Sequence, residues 1–527
     1  MRLLNSATVK LEEFLDDRIP KYAILSHRWQ DDEVSFQDMQ SDSATEKAGY
    51  TKLKMCCHQA AKDQFNYIWV DTCCIDKTSS AELSESINSM YRWYQNAAIC
   101  YAYLFDVSSI SVSDDTSFAD STWFTRGWTL QELIAPSIVE FYNADWQKLG
   151  TKHEMMDTIS QITKIDVGVL GGVDPECFSI AKRMSWASRR TTTRVEDIAY
   201  SLLGLFAVHM PMLYGEGERA FIRLQEEIIK HSDDSSIFAW SNTDDEPRGL
   251  LAKSPADFRS CSKIVMSNPR LNRTPYFITN MGLSIELKTI SWAMETYLAA
   301  LDCEIADVPN SRIGIFLRLL PDESQYTRVM LDQMDTQTFH FDLVKESSYR
   351  KIFVRQKFSG IHPADLMVGL WHRQLPLLMY GFWLRTLPLD LSIYGGSRSI
   401  SLPKAFPDHQ WDSAKRIFTI PVGSRGTAGR LRYHVESLRP NSTFDLEFGF
   451  NRDFCPVITL LISGEKIWEQ SIPLHLGSKS SLTDRLDADY KAASKLLREH
   501  FIQVTTEVLD GQKVWVVDVE RLHDGRG

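Results

Sequence analysis

The 527-residue sequence lacks any apolar run near the ~20 residues that a membrane-crossing helix requires, so no helical span is expected. Its first residues, Met1-Arg-Leu-Leu-Asn-Ser, meet Lys10, Glu12 and Glu13 too early for the apolar stretch of a signal peptide. Nine cysteines occur without any Cys-x-x-Cys spacing or Cys/His ladder, which argues against zinc. The odd count and the adjacent pairs Cys56-Cys57 and Cys73-Cys74 suit buried free thiols in a reducing, cytoplasmic setting. There Asn441-Ser-Thr443, which matches the glycosylation pattern, should go unused. An excess of positive charge is missing as well. A net charge of −11 speaks against binding a nucleic-acid backbone, and the short basic run Ser188–Arg194 reads as a solvated loop. Internal repeats and low-complexity tracts are absent. Tyr214-Gly-Glu-Gly-Glu-Arg219 lacks the lysine, the third glycine and the preceding strand of a phosphate loop, so it reads as a turn that opens a helix.

What is present is ample core material: 43% hydrophobic and 24% charged residues, enough for two or three domains. From Tyr22 to Tyr142 strands and helices alternate. Strands are expected at Tyr22–Ser26, Tyr67–Asp71, Ile99–Phe105 and Ile138–Tyr142. Helical spacing runs through Leu53, Cys56, Cys57, Ala60 and Ala61, and again through Leu83, Ile87, Met90, Tyr91 and Tyr94 after a Ser79-Ser80 cap. Arg126–Ile134 forms a further helix that Pro136 ends. Such alternation implies right-handed crossovers and a mostly parallel sheet. Residues 153–230 read as helical, with Ile198–Val208 as one buried helix and Gly217–Lys230 as an amphipathic one.

Beyond the polar stretch Ser241–Pro247, a candidate linker, the period changes to two, as in Leu283, Ile285 and Leu287. Strands are expected at Ile313–Leu320, Lys351–Lys357, Gly381–Leu387, Ile417–Val422, Val457–Ile462 and Lys466–Gln470. Asp510-Gly511 marks a hairpin between Phe501–Leu509 and Lys513–Val519, and Leu482–His500 reads as a helix. The expected organisation is an α/β domain built on a mostly parallel sheet over 1–150, a helical extension over 151–240, and a mostly β, sandwich-like domain over 241–527.

Three segments carry most of the functional information: Tyr22-Ala-Ile-Leu-Ser-His-Arg-Trp29, Tyr67-Ile-Trp-Val-Asp-Thr-Cys-Cys-Ile-Asp76 and Arg126-Gly-Trp-Thr-Leu-Gln-Glu-Leu133. The first two run from an apolar strand into a polar and aromatic cluster. The third puts Trp128 and Glu132 four residues apart, on one face of a helical turn. Residues just past the carboxyl ends of parallel strands share one rim, where open α/β sheets place their ligands.

The same segments, with the Met-Arg-Leu-Leu start, resemble the signature of the fungal heterokaryon-incompatibility (HET) domain over roughly residues 1–150. The Met210–Arg223 stretch resembles the segment that trails this domain in many fungal members. The resemblance implies a role in non-self recognition, with the domain triggering regulated cell death. HET domains are in turn distantly similar to TIR domains, innate-immune signalling modules with a flavodoxin-like fold. Some TIR domains cleave NAD with one glutamate in a Trp-x-x-x-Glu arrangement, which Trp128 and Glu132 match.

On that reading Glu132 is the candidate catalytic residue, facing the positive charge that develops when the nicotinamide–ribose bond breaks. Ser26, Arg28, Trp29, Asp71, Asp76, Arg126 and Trp128 are the candidate binding residues: indoles to stack, arginines for the pyrophosphate, acids for ribose hydroxyls. NAD is then a substrate, and neither a cofactor nor a metal is expected. Plainer readings stay open. Glu132 could fix its own loop, Asp71 and Asp76 could cap turns, and Trp29, Trp69 and Trp128 could be core. Cys73 or Cys74 beside His27 could form a nucleophile pair, although buried inert thiols suit these positions better, and Asp71, Asp76 and Glu132 could gather magnesium. The competing class of function is a non-catalytic module that self-associates and signals through an incompatibility partner protein.

Overall fold

The structure, a computed structural model, describes residues 1–15, 18–41, 43–108, 117–242, 248–267, 274–293, 296–308, 310–320, 324–329, 336–340, 349–356, 380–385, 403–420, 426–434, 443–450, 456–462, 465–471, 500–509 and 512–521. Four short apolar segments pair side by side near the N-terminus: β3 (Ala23–His27), β4 (Tyr67–Trp69), β5 (Ile99–Tyr103) and β6 (Val139–Tyr142). They are parallel and lie in the order β4-β3-β5-β6. Every residue of β3 is buried, as a strand covered on both faces requires. Helices α1 (Phe36–Gln40) and α2 (Tyr50–Lys62) link β3 to β4, and α3 (Ser80–Asn96) links β4 to β5. The Ser79 hydroxyl caps α3 by accepting from the Glu82 N–H, as the sequence suggests.

The sheet is mixed rather than parallel throughout. Strands β1 (Arg2–Asn5) and β2 (Leu11–Glu13) extend one edge and β7 (Lys148–Thr151) the other, all antiparallel to their neighbours. Each has only three or four residues, too few for a periodic signal, so the long-range pairing of Leu4 with Ile68 defines β1. A 3-10 turn (Thr122–Thr125) precedes the third signature segment, which forms helix α4 (Thr129–Ile134); beyond β7 the chain turns helical. The helices are α5 (Met156–Thr163), α6 (Val167–Leu170), α7 (Ile180–Ala187), α8 (Asp197–Tyr200) and α9 (Arg219–His231). Helix α9 buries Ala220, Phe221, Leu224, Ile228 and Ile229, the face read from the sequence.

Ile198–Val208 is buried as expected but is not one helix. It breaks into α8, turns and a 3-10 turn at Gly204–Phe206 before Ala207 enters the left-handed region. The cause is packing: a Cβ on Gly204 would lie 2.0 Å from Tyr91 Cβ, so α3 presses directly on this backbone. The Tyr214–Arg219 turn has an internal explanation too. The N–H groups of Gly215 and Gly217, both at positive φ, donate to the Glu196 carboxylate at 2.8 and 3.1 Å, so a side chain fills the anion-binding nest.

The later part is mostly β, though its first unit is a closed barrel rather than a sandwich. Strands β10 (Gly282–Ala293), β11 (Thr296–Ala300), β13 (Ser311–Leu319), β14 (Tyr326–Val329) and β16 (Tyr349–Val354) pair in a ring; β8 (Ile264–Met266) and β12 (Cys303–Ile305) form a separate pair, and β9 (Phe277–Thr279) and β15 (Thr336–His340) add to the ring's edges. Closure removes free strand edges. Leu283, Ile285 and Leu287 all point into its core. Arg328 of β14 inserts back toward the helical part, donating to the carbonyls of Phe238 and Trp240 with its guanidinium 3.7 Å from the Trp240 ring centroid.

Two five-stranded sheets follow. One holds Tyr380–Leu384, Trp411–Asp412, Ile417–Ile420, His500–Leu509 and Gln512–Arg521; the other holds Lys404–Phe406, Gly426–His434, Thr443–Phe450, Pro456–Ile462 and Glu465–Ser471. They meet through Phe448, whose ring lies 5.0 Å from that of Phe382 and 5.8 Å from that of Phe418, so a sandwich does exist here. The expected Leu482–His500 helix lies outside the described residues except for His500, which opens a strand, and most of the Ser241–Pro247 linker lies outside them as well.

Gly204→Ala is expected to lower stability by about 1–3 kcal/mol through forced contact with Tyr91. In a Tyr91→Gly background, which removes the clashing Cβ, the same change should cost clearly less, which a double-mutant cycle by denaturant unfolding would measure.

Candidate functional site

Strand β3 ends on Ser26 and His27, and the rim there gathers side chains from all three signature segments. Ser26 and Glu132 meet directly: the Ser26 hydroxyl donates to Glu132 Oε2 and accepts from Trp123 Nε1 at 2.9 Å. Glu132 is only 6% exposed on the fully buried helix α4. The Tyr94 hydroxyl stands beside it and donates to the Leu25 carbonyl at 3.0 Å. Burial pushes the Glu132 carboxyl up to about 8; the nearby charge of Asp71 adds to this, while the Ser26 hydrogen bond and the charges of Arg126 and Arg190 oppose it.

A second cluster lies beside the first. Trp29 Nε1 donates to Asp71 Oδ2 at 2.7 Å, and the Lys77 ammonium sits 3.5 Å from the centre of the Trp29 ring. Burial raises the Asp71 pKa and lowers that of Lys77, each partly offset by the other's charge. His27 packs between these groups with its side chain wholly buried. Its Nε2 lies 3.8 Å from Glu33 and 4.0 Å from Asp71, and neither ring nitrogen has a hydrogen-bond partner among the described residues. Burial, then the charges of Lys52, Lys77 and Arg126, hold it well below the usual histidine range, so the imidazole is neutral.

The remaining candidates divide. The half-buried Arg126 guanidinium makes no hydrogen bond among the described residues, and its charge reaches both Glu132 and His27. Arg28 is half-buried and makes no ion pair among them. Trp128 lies near the Asp197 carboxylate on α8, whose pKa it helps to hold down against burial. Asp76 caps a turn, accepting from the Thr78 N–H and hydroxyl and from Gln37 Nε2 at 3.0, 2.6 and 2.7 Å. Cys73 and Cys74 are buried, and the hydrogen bond with the Cys74 thiol, then burial, holds Cys73 well above the ordinary thiol range, which does not suit a nucleophile. Among the described residues, no group of three His, Cys, Asp or Glu side chains is arranged to hold a metal ion.

One element of the site was invisible in the sequence. Arg190, placed in a solvated basic run by its neighbours, is buried: its Nη1 donates at 2.8 Å to both the Arg126 carbonyl and the Thr129 hydroxyl. The next residue completes the tie, since Thr191 N donates to Thr125 O and Gly127 N to Thr191 O. The helical part thus clamps the turn that leads into α4. Trp123, just upstream of the third segment, was missed as well.

A carboxyl held near 8 in the folded chain, against 4.5 when exposed, binds a proton that the unfolded chain has already lost. Stability is therefore greatest below about 4.5 on this account and falls as pH rises toward 8. Glu132→Gln should match wild type near pH 5 and exceed it near pH 8 by about 1–3 kcal/mol, measured by denaturant unfolding at both pH values. Ser26→Ala, which strips both Trp123 and Glu132 of a partner, should cost about 1–3 kcal/mol.

Comparison with known proteins bears on the same region. Residues 22–117 match the family described as Heterokaryon incompatibility protein (HET), and residues 219–260 match Domain of unknown function (DUF8212). The chain is 48% identical over 222 residues to Vegetative incompatibility protein HET-E-1 of Podospora anserina, covering 40% of this chain. The match spans only 16% of that relative's length. No solved structure matches. Residues 22–117 thus carry the match to the HET family, and over 222 residues the chain is similar to a vegetative incompatibility protein.

Proposed function

We propose that this chain acts in fungal heterokaryon incompatibility as a trigger of regulated cell death, and that its α/β part does so by hydrolysing the nicotinamide–ribose bond of NAD. The role in incompatibility rests on the HET match and on the similarity to HET-E-1. The chemistry rests on one observation: a buried carboxyl with a raised pKa, held by the Ser26 hydroxyl at the carboxyl end of β3. The parallel strands, in chain order 2-1-3-4, follow the flavodoxin-like pattern, in which ligands bind where β3 and β5 adjoin. That strand order supports the TIR-like reading.

The proposed step is simple in its atoms. The C–N bond breaks, its electron pair leaves with nicotinamide, and positive charge grows at the ribose carbon. Ionised Glu132 faces that charge from a buried position, where it acts strongly. Water then adds to the carbon and releases a proton. The cationic nicotinamide ring itself favours ionisation of Glu132, since an opposite charge nearby lowers a carboxyl pKa. Trp29 offers an indole for a flat ring, Asp71 and neutral His27 offer hydrogen bonds to sugar hydroxyls, and Arg126 offers a positive charge for the pyrophosphate.

Purified protein incubated with NAD should release nicotinamide, and Glu132→Gln should slow this about 100-fold or more. Since the free carboxyl must lose its proton, kcat/KM should rise with pH and level off above about 8. No release from assembled wild-type protein, or equal release from Glu132→Gln, would instead favour a non-catalytic module that self-associates and signals through an incompatibility partner.

A further inference from the structure

A cavity of about 730 Å³ opens at the C-terminal end of α4, walled by α3, the turn after α4, and the segments 171–176 and 204–209. That volume falls within the ~300–1,000 Å³ typical of small-molecule sites. It contains none of the residues proposed for NAD. Its chemistry is set by Lys152, a side chain only 4% exposed that lines it. The ammonium donates to the carbonyls of Leu133, at 3.2 Å, and Pro136. An ammonium has three N–H groups, so one is left after these two acceptors. Among the described residues Lys152 makes no ion pair, and a buried charge served only by neutral acceptors is costly unless a counter-charge joins it.

The rest of the wall narrows the ligand. Arg92 lines the cavity from the exposed face of α3 and makes no ion pair among the described residues, which puts a second cation on the same lining. Ile134, Val169 and Leu205 supply buried apolar surface. Asp174 and Glu176 also line it, which disfavours a multiply charged anion such as a polyphosphate. We propose that this cavity binds a small organic monocarboxylate, its head on Lys152 and Arg92 and its apolar body against Ile134, Val169 and Leu205.

The probe is 4-phenylbutyrate, with 4-phenylbutanol as the uncharged control, titrated calorimetrically into the full chain. The carboxylate should bind and raise Tm, and the alcohol should bind roughly tenfold more weakly or not at all. Lys152→Met should abolish binding. Because that change could also unfold α4, two exposed positions provide independent checks: Arg92→Glu and Val173→Glu should leave the Tm of the free protein unchanged yet weaken binding by roughly tenfold. The proposal is overturned if wild type does not bind the carboxylate, if the alcohol binds as well, or if both exposed variants bind it like wild type.

Discussion

The meeting of Ser26 with Glu132 at the end of β3 governs the geometry of the N-terminal part. A carboxyl cannot be buried at 6% exposure without a partner, and the serine hydroxyl is the group that a strand end can supply there. The indole N–H of Trp123 fixes that hydroxyl from the other side, so the first and third signature segments are joined by one short polar chain inside an aromatic shell. Polar links of this kind are strong only while every member is satisfied. That requirement makes the register of β3 against β5 and the seating of α4 a single problem for the fold.

The helical part solves the second half of the problem. Arg190 and Thr191 hold the backbone between Thr125 and Thr129 from outside the α/β sheet. Lys152 holds the carbonyls at the far end of the same helix. A helix of six residues has little stability of its own, because nucleation fixes several dihedrals for few hydrogen bonds. Tethers at both ends replace what length would have given. The α/β sheet and the helices after it are therefore coupled through α4. Trp128 adds to this through its place near Asp197 on α8.

The β-rich part divides into a closed barrel and a pair of stacked sheets. The ring through β10, β11, β13, β14 and β16 leaves little edge to template aggregation. Arg328 returns from that ring to the backbone at Phe238 and Trp240, so the barrel is keyed to the helices by a buried cation resting on an indole.

Sequence alone determined the elements whose signal is local. The apolar runs at β3 to β6, the capped amphipathic α3, the buried stripe of α9 and the alternation in β10 all follow from side-chain period, which needs no knowledge of neighbours. The motif segments likewise made Ser26, Trp29, Asp71 and Glu132 legible as candidates, and the fold brings these to one rim. Only tertiary structure decided the rest. Strands β1, β2 and β7 are too short to show a period and exist through partners far along the chain. The expected helix at Ile198–Val208 yielded to contact with Tyr91, and barrel closure depends on pairing β11 with β13, which no hairpin dictates. Arg190 looked solvated because its neighbours are polar, yet its burial is set by a carbonyl and a hydroxyl more than sixty residues upstream. Burial is a property of packing across the chain, and a one-dimensional pattern records only the residues next door.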